Sequence, residues 1–255
     1  MDLGYLYGLI CSMYGAIEDW KKREVSDFLW LSLLWIGVIV HAIYSKNLLL
    51  FFIEVFAISF ITLSVKYEEL NRFFYMGILL FLLSFILFKS YFALSFLLFY
   101  LVGVFLYYTN FMGGGDCKFL IGLSYLKGMF FTFIIFLNAI LFVIPYCIII
   151  LLINIKNKNY KGMKLKNLPL LLIALKKDVK DVRKFESIMG DDENLSLIPK
   201  INEEIENGKN KYKGKVWVTP QLPFLVFIFL SYVLYIIYPF PVILKIIELI
   251  VKSHF

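Results

Sequence analysis

Three carboxylates stand out in an otherwise apolar chain: Asp19 in AIEDWKKREVSD, Glu54 in FFIEVFAISF and Asp116 in FMGGGDCKFLIG. Two carboxyl groups held about 3 Å apart cannot both ionise, so such a pair shares one proton. The ionised member can take a proton from a water attacking a carbonyl, while its protonated partner polarises that carbonyl and stabilises the oxyanion. Asp19 and Asp116 supply this two-carboxyl inventory. Asp116 follows Gly113, Gly114 and Gly115, which allow close approach of another segment and dihedrals denied to other residues. It stands near the start of a short apolar run, where free N–H groups favour an anion, so a plain helix N-cap is the simplest alternative role. Glu54 is the acidic residue in mid-span, where an ionisable group is costly unless paired or hydrated. It is read as a protonated carboxyl bonded to a neighbouring helix.

Other chemistries lack their residues. Cys11, Cys117 and Cys147 have no CxxC spacing, His41 and His254 are far apart, and no HExxH occurs, so neither a zinc site, a disulfide framework nor a zinc protease is expected. Gly122-Leu123-Ser124-Tyr125 fails the Gly-x-Ser-Gly pattern of a serine-based membrane protease at its last position. Basic residues without aromatic interleaving give no nucleic-acid groove.

The elements that must position these acids are set by hydropathy. Of 255 residues, 61% are hydrophobic, and mean hydropathy is +0.80, which makes lipid the solvent. Apolar segments run over Leu3–Ile17, Phe28–Tyr44, Leu48–Val65, Phe73–Phe88, Tyr91–Tyr108, Lys118–Leu126, Met129–Ile155 and Leu222–Tyr238. The first is read as a retained span and not a cleaved signal. The expected fold is an all-α polytopic membrane protein of six to eight transmembrane helices, with a small cytoplasmic insert before the last span. The expected domains are a catalytic membrane part at 1–155, an insert at 156–215, and a final span with an interfacial tail at 216–255. Within the insert, Leu168–Leu175 with Val179, Val182 and Phe185 predicts a helix starting near Pro169, and GDDENLS a turn.

Loop charge sets orientation. Lys21, Lys22 and Arg23 in the first loop, Lys66 and Arg72 in the third, and the lysine-rich insert fall on one face if every segment crosses. By the positive-inside rule that face is cytoplasmic, and it carries both Asp19 and Asp116.

The same residues carry a resemblance. Gly113-Gly114-Gly115-Asp116 matches GxGD, the signature of membrane aspartyl proteases, and Asp19–Asp27 resembles the D-x-x-x-R-[EI]-[VI]-x-[ND] segment of type IV prepilin peptidases. Its Arg23-Glu24-Val25 form is especially similar to archaeal preflagellin and prepilin peptidases. Val216-Trp217-Val218-Thr219-Pro220-Gln221-Leu222-Pro223-Phe224 resembles the block that those enzymes carry after their insert. The resemblance implies Asp19 and Asp116 as the catalytic pair, Gly113 and Gly115 as its glycines, and Arg23, Glu24 and Lys118 as substrate or structural support. It implies removal of a short basic leader from preflagellin or prepilin-like proteins at the cytoplasmic membrane face, without cofactor. Glu18, Glu24, Asp27, Glu68 and Glu69 are the acids that could attract such a leader.

Three departures are visible. Ser26 stands where the family often has proline, the Asp19–Asp116 spacing is long for the shorter preflagellin enzymes, and the CxxC pairs of bacterial relatives are absent. Presenilin-like enzymes share GxGD, but Glu18-Asp19 and Pro220-Gln221-Leu222 only partly echo their other blocks. The alternative from another class is a proton- or ion-coupled transporter using Asp19, Glu54 and Asp116 near a broken helix.

Overall fold

The computed structural model describes residues 3–109, 112–160, 163, 165–182, 185–191, 195, 214–220 and 222–242. Seven helices come first: α1 Leu3–Lys22, α2 Asp27–Ser45, α3 Leu48–Lys66, α4 Asn71–Phe88, α5 Tyr91–Tyr108, α6 Gly114–Lys127 and α7 Met129–Lys156. Their ends fall within a few residues of the apolar runs, because lipid-facing helices are written as uninterrupted hydrophobic stretches. Among the described residues, α2, α3, α4, α5 and α7 are long and apolar enough to cross a bilayer.

The connections are short and chemically specified. Lys46 (φ 52°) ends α2 in the left-handed region, and the Asn47 side chain then accepts from Leu50 N at 3.1 Å to start α3. The α4–α5 connection repeats the device, with Lys89 (φ 52°) followed by Ser90 accepting from Ala93 N at 3.3 Å. Both are left-handed stops followed at once by a side-chain N-cap, which fixes antiparallel neighbours.

The chain divides into two compact units, residues 1–139 with 224–255, and residues 140–223. In the first, α6 forms the centre: every residue from Phe119 to Leu126 is buried. At 1.5 Å per residue its 14 residues give about 21 Å, short of a hydrocarbon core of about 30 Å. Helix ends at that depth are tolerated only when protein surrounds them, as it does at the C-terminal end, where Leu126 and Gly128 are buried; the N-terminal end, Gly113 to Asp116, is exposed to half-buried. The last described helix, α9 (Phe224–Ile237), packs on α1. Phe28, Leu79, Phe105 and Tyr108 are instead well exposed, as side chains turned to lipid are.

The second unit is mixed. After a single helical turn, α8 (Leu170–Ile173), come strands β1 (Leu175–Asp178), β2 (Glu186–Gly190) and β3 (Lys215–Pro220), in antiparallel order β1-β3-β2. The helix expected over Leu168–Phe185 is therefore corrected to one turn, a strand, a 3₁₀ turn at Val179–Asp181 and the approach to a second strand. The reason lies outside that window. The central strand β3, rich in β-branched and aromatic residues, arrives 40 residues after β1 and pairs Trp217 with Lys176. Trp217 then packs on Leu170, Leu171, Ala174 and Met189, while Val182, Ile188, Val216 and Val218 form a second cluster. The expected boundary at Val216 falls inside this sheet. Most of the GDDENLS turn and the interfacial tail beyond Val242 lie outside the described residues.

Candidate active site

Asp19 is delivered by a stripe of small residues. The buried face of α1 reads Gly4, Gly8, Cys11, Ser12, Gly15, Ala16, Asp19, a spacing of three and four that places all of them on one side. A Cβ at Gly8 would lie 2.5 Å from Tyr232 Oη, and one at Gly15 would lie 2.9 Å from Leu225 Cδ1. The absence of side chains lets α9 lie against α1, as small residues do between membrane helices. Asp19 continues that face into the packed interface and is 5% exposed. Its Oδ2 accepts a hydrogen bond from Leu225 N at 3.0 Å. Leu225 is in the first turn of α9, where N–H groups have no intrahelical partner and the helix dipole favours an anion.

Asp116 is delivered by the glycines. Gly113 is the N-cap residue of α6, with φ −66° and ψ 149°, so Asp116 is the third residue of the helix and not its N-cap. Its carboxylate turns back to accept from Gly113 N–H, as the acidic arm of a capping box does. None of the three glycines has a positive φ. They supply room and not unusual dihedrals. A Cβ at Gly113 would come 3.1 Å from Asp116 Oδ2, and one at Gly115 would come 3.2 Å from Val25 Cβ. A Cβ at Gly114 would make an ordinary contact with the Tyr107 ring, at 3.4 Å. That contrast gives the G-x-G spacing a physical basis: the middle position is the one with space.

The loop from Asp19 to Asp27 laces the two helix ends together. Arg23 adopts φ 57° and donates its N–H to Asp19 O at 3.0 Å, which closes α1. Glu18 accepts from Ser26 N at 3.2 Å and from Ser26 Oγ at 3.1 Å. Asp27 accepts from Trp30 Nε1 at 2.9 Å and pairs with Lys118 Nζ at 2.6 Å, so the start of α2 is tied to the first turns of α6. Of the expected support residues, Lys118 thus holds the frame and Arg23 lies beside Asp19 and Trp20, while Glu24 is exposed. Among the leader-attracting acids, Glu18 and Asp27 are engaged within the loop, and Glu69 is exposed.

Both carboxylates lie outside the five spanning helices, at one end of α1 and α6, and they act on each other electrically. Burial raises the Asp116 carboxyl above the ordinary carboxylate range, the charge of Asp19 raises it further, and the Gly113 N–H opposes both. Burial raises Asp19 too, and the Leu225 N–H and the Arg23 charge offset only part of that rise. The two acids are therefore unequal. Of the two, Asp19 has a hydrogen-bond donor and a cation beside it, both of which favour its anion. Such a pair can hold a water on the first acid and donate a hydrogen bond from the second to a carbonyl oxygen. Among the described residues no group of three or more His, Cys, Asp or Glu side chains could hold a metal.

Glu54 is elsewhere. Its Oε2 accepts from Tyr125 Oη at 2.8 Å, and its Oε1 accepts from Ser90 Oγ at 3.0 Å and Ser84 Oγ at 3.3 Å. It is bonded to neighbouring helices and stands at the other end of α6 from Asp116. Sequence reasoning missed Val25 and Leu225. Val25 was visible inside the Arg-Glu-Val block, whereas the role of Leu225 depends on a helix pairing that no local pattern encodes.

Comparison with known proteins gives a consistent result. The profile described as Type IV leader peptidase family matches residues 6–77 and 68–148, which include both aspartates. An uncharacterized protein of Methanocaldococcus jannaschii is 78% identical over 255 residues, the full length of both chains. A preflagellin peptidase of the same organism is 28% identical, covering 91% of this chain and 92% of its own. A preflagellin peptidase of Methanococcus voltae is 26% identical, covering 91% and 93%.

Proposed function

The chain belongs to the type IV leader peptidase family, and on that premise we propose that it is an aspartyl endopeptidase that removes N-terminal leaders from preflagellin- or prepilin-like precursors at the cytoplasmic membrane face. The observation that carries the reading is the juxtaposition of Asp19 and Asp116, joined by the Val25–Gly115 contact and the Asp27–Lys118 ion pair.

In the mechanism that follows, ionised Asp19 takes a proton from a water as its oxygen attacks the scissile carbonyl. Protonated Asp116 gives its proton to the carbonyl oxygen, so that no unshielded oxyanion forms. Collapse of the tetrahedral species returns one proton to Asp116 and passes the other from Asp19 to the leaving amine. The N–H of Leu225 and the charge of Arg23, which favour an anion at Asp19, support this division of roles.

The basic loops support the membrane face. Lys21, Lys22, Arg23, Lys66 and Arg72 flank the helix ends that carry the dyad or that share its side by alternation of the helices. A precursor whose leader is still in water and whose apolar helix is in lipid meets the dyad where those phases join. Exposed Glu24 is a candidate contact for a basic leader.

The substrate class has one further pointer. Methanocaldococcus jannaschii holds both a preflagellin peptidase and the 78% identical relative, so one organism carries two members of the family. This chain is much nearer the second. The relatives of named activity are preflagellin peptidases, so preflagellin-like and prepilin-like precursors are both substrates to test.

The test is to incubate the purified full-length protein, in detergent, with leader-bearing preflagellin and prepilin and to weigh the products by mass spectrometry. The expected result is a single cut that releases the leader from at least one precursor, abolished in Asp19→Asn and in Asp116→Asn. Cleavage that survives both substitutions would overturn the assignment.

A further inference from the structure

Helix α6 has two ends, and the dyad occupies only one. The other end stops inside the first unit, where the carbonyls of the last turn have no helical partners and need others. A polar cluster is built there. Ser124 Oγ donates to Ile121 O at 2.8 Å, Gly128 N donates to Ser124 O at 2.8 Å, and Met129 N donates to Ser95 Oγ at 3.0 Å. Tyr125, fully buried, points its hydroxyl at Glu54, which is 1% exposed.

Glu54 joins five helices. Tyr125 of α6 donates to one carboxyl oxygen, Ser84 of α4 and Ser90 at the start of α5 donate to the other, and Glu54 itself belongs to α3. From α2, His41 Nδ1 lies 3.5 Å from Glu54 Oε2; its ring is stacked on Phe92 at 3.6 Å and set edge-on to Tyr125 at 4.5 Å. His41 is 3% exposed. An acid so deep in an apolar bundle serves no step of peptide hydrolysis, since nine residues, or about 14 Å of helix, separate Tyr125 from Asp116.

Nine residues are also two and a half turns, so Tyr125 and Asp116 lie on opposite faces of α6. The helix is thus held at diagonally opposite points. Near Asp116 it is held by the Asp27–Lys118 pair and the Val25–Gly115 contact; at Tyr125 it is held by Glu54. Between them Gly37 and Gly122 let α2 and α6 touch, a Cβ at Gly37 lying 2.7 Å from Tyr125 Cδ1. A rigid rod pinned at both ends can neither slide along its axis nor roll. We infer that Glu54 and Tyr125 are positioning residues, which set the height and rotation of α6 and thereby the separation of Asp116 from Asp19.

The kinetic part of the test rests on the peptidase reading; the geometric part does not. Cys11, Cys117 and Cys147 are first replaced by serine. Asp19→Cys and Asp116→Cys are then introduced together, and the rate at which a short bifunctional thiosulfonate bridges them is measured by gel shift. In parallel, kcat and KM for a leader-bearing precursor are measured in proteins that keep both aspartates. Tyr125→Phe and Glu54→Leu are expected to slow bridging and to lower kcat, each roughly tenfold for a sub-ångström to ångström displacement, with KM within about twofold. Glu54→Gln, which keeps a hydrogen-bonding head of the same shape, is expected to restore both. Unchanged bridging in Tyr125→Phe overturns the inference, even if kcat falls, because the residue would then act on stability alone. Lost bridging in Glu54→Gln overturns it as well. If no precursor is cleaved by the native protein, the peptidase reading fails while the bridging rates still decide this one.

Discussion

The three glycines before Asp116 make a graded prediction under replacement by alanine. At Gly114 the new methyl meets the Tyr107 ring at 3.4 Å, an ordinary contact. Since alanine is favoured over glycine in a helix by up to about 1 kcal/mol, Gly114→Ala should be neutral or slightly stabilising. At Gly115 the methyl stands 3.2 Å from Val25 Cβ and 3.5 Å from its Cγ2. Carbon pairs prefer about 3.5–4.0 Å, so Val25 or α6 must give by roughly 0.3–0.8 Å. Overpacking of this kind costs about 1–3 kcal/mol, and the helix-propensity gain offsets part of it. The expected loss of stability is therefore only about 0–2 kcal/mol.

The effect on turnover is larger, because the displaced segment is the one that connects Asp19 to α2. Misplacement of reacting groups by about 1 Å costs on the order of a hundredfold, so about half of that costs roughly tenfold in kcat. At Gly113 the methyl meets Asp116 Oδ2 itself, 3.1 Å away, and the loss of turnover should be at least as great, with a stability cost of about 1 kcal/mol because alanine is a poorer N-cap than glycine. Thermal unfolding in detergent and steady-state cleavage of a leader-bearing precursor measure the two quantities on the same samples. A Gly115→Ala protein as active as Gly114→Ala would refute the argument, since it would show that contact with Val25 does not set the dyad.

Other predictions follow from the electrostatics. Asp116 has its pKa raised by burial and by Asp19, so the folded protein holds a proton that the unfolded chain releases above about pH 4. Stability should then fall as pH rises from that value through the raised pKa, and Asp116→Asn should flatten this slope in unfolding scans while abolishing cleavage. For the same reason the alkaline limb of the kcat/KM profile should lie above the ordinary carboxylate range. Leu225→Pro removes the N–H that Asp19 accepts, at a first-turn position where proline is tolerated, whereas Leu225→Ala keeps it; the proline variant alone should move the acid limb upward. The Asp27–Lys118 pair is 43% and 44% exposed, so Lys118→Met should cost no more than about 1 kcal/mol, and less at high salt, in the same unfolding assay.

Much of this was legible in the letters, for physical reasons. Helices α2 to α5 and α7 follow apolar runs because a single apolar segment in lipid satisfies its own backbone only as a helix. Asp19 and Asp116 stand out because an acid beside a membrane span needs a reason, and Glu54 stands out for the same reason. What could not be read depends on partners distant in sequence. The N–H that holds Asp19 comes from Leu225, 206 positions away. The run Leu168–Phe185 shows a helical period, yet β3 turns part of it into a strand edge. The three glycines look like a licence for unusual dihedrals, and they turn out to be clearances for one carboxylate and one valine.

The central claim, that Asp19 and Asp116 work as one unit, is tested most directly by the kinetics of Asp19→Asn, Asp116→Asn and the double variant, each shown to be folded. Groups that act together lose their effect together, so the account predicts that either single substitution removes essentially all precursor cleavage and that the double variant is no worse than either. Substantial turnover in one single variant, or losses that multiply in the double, would contradict it.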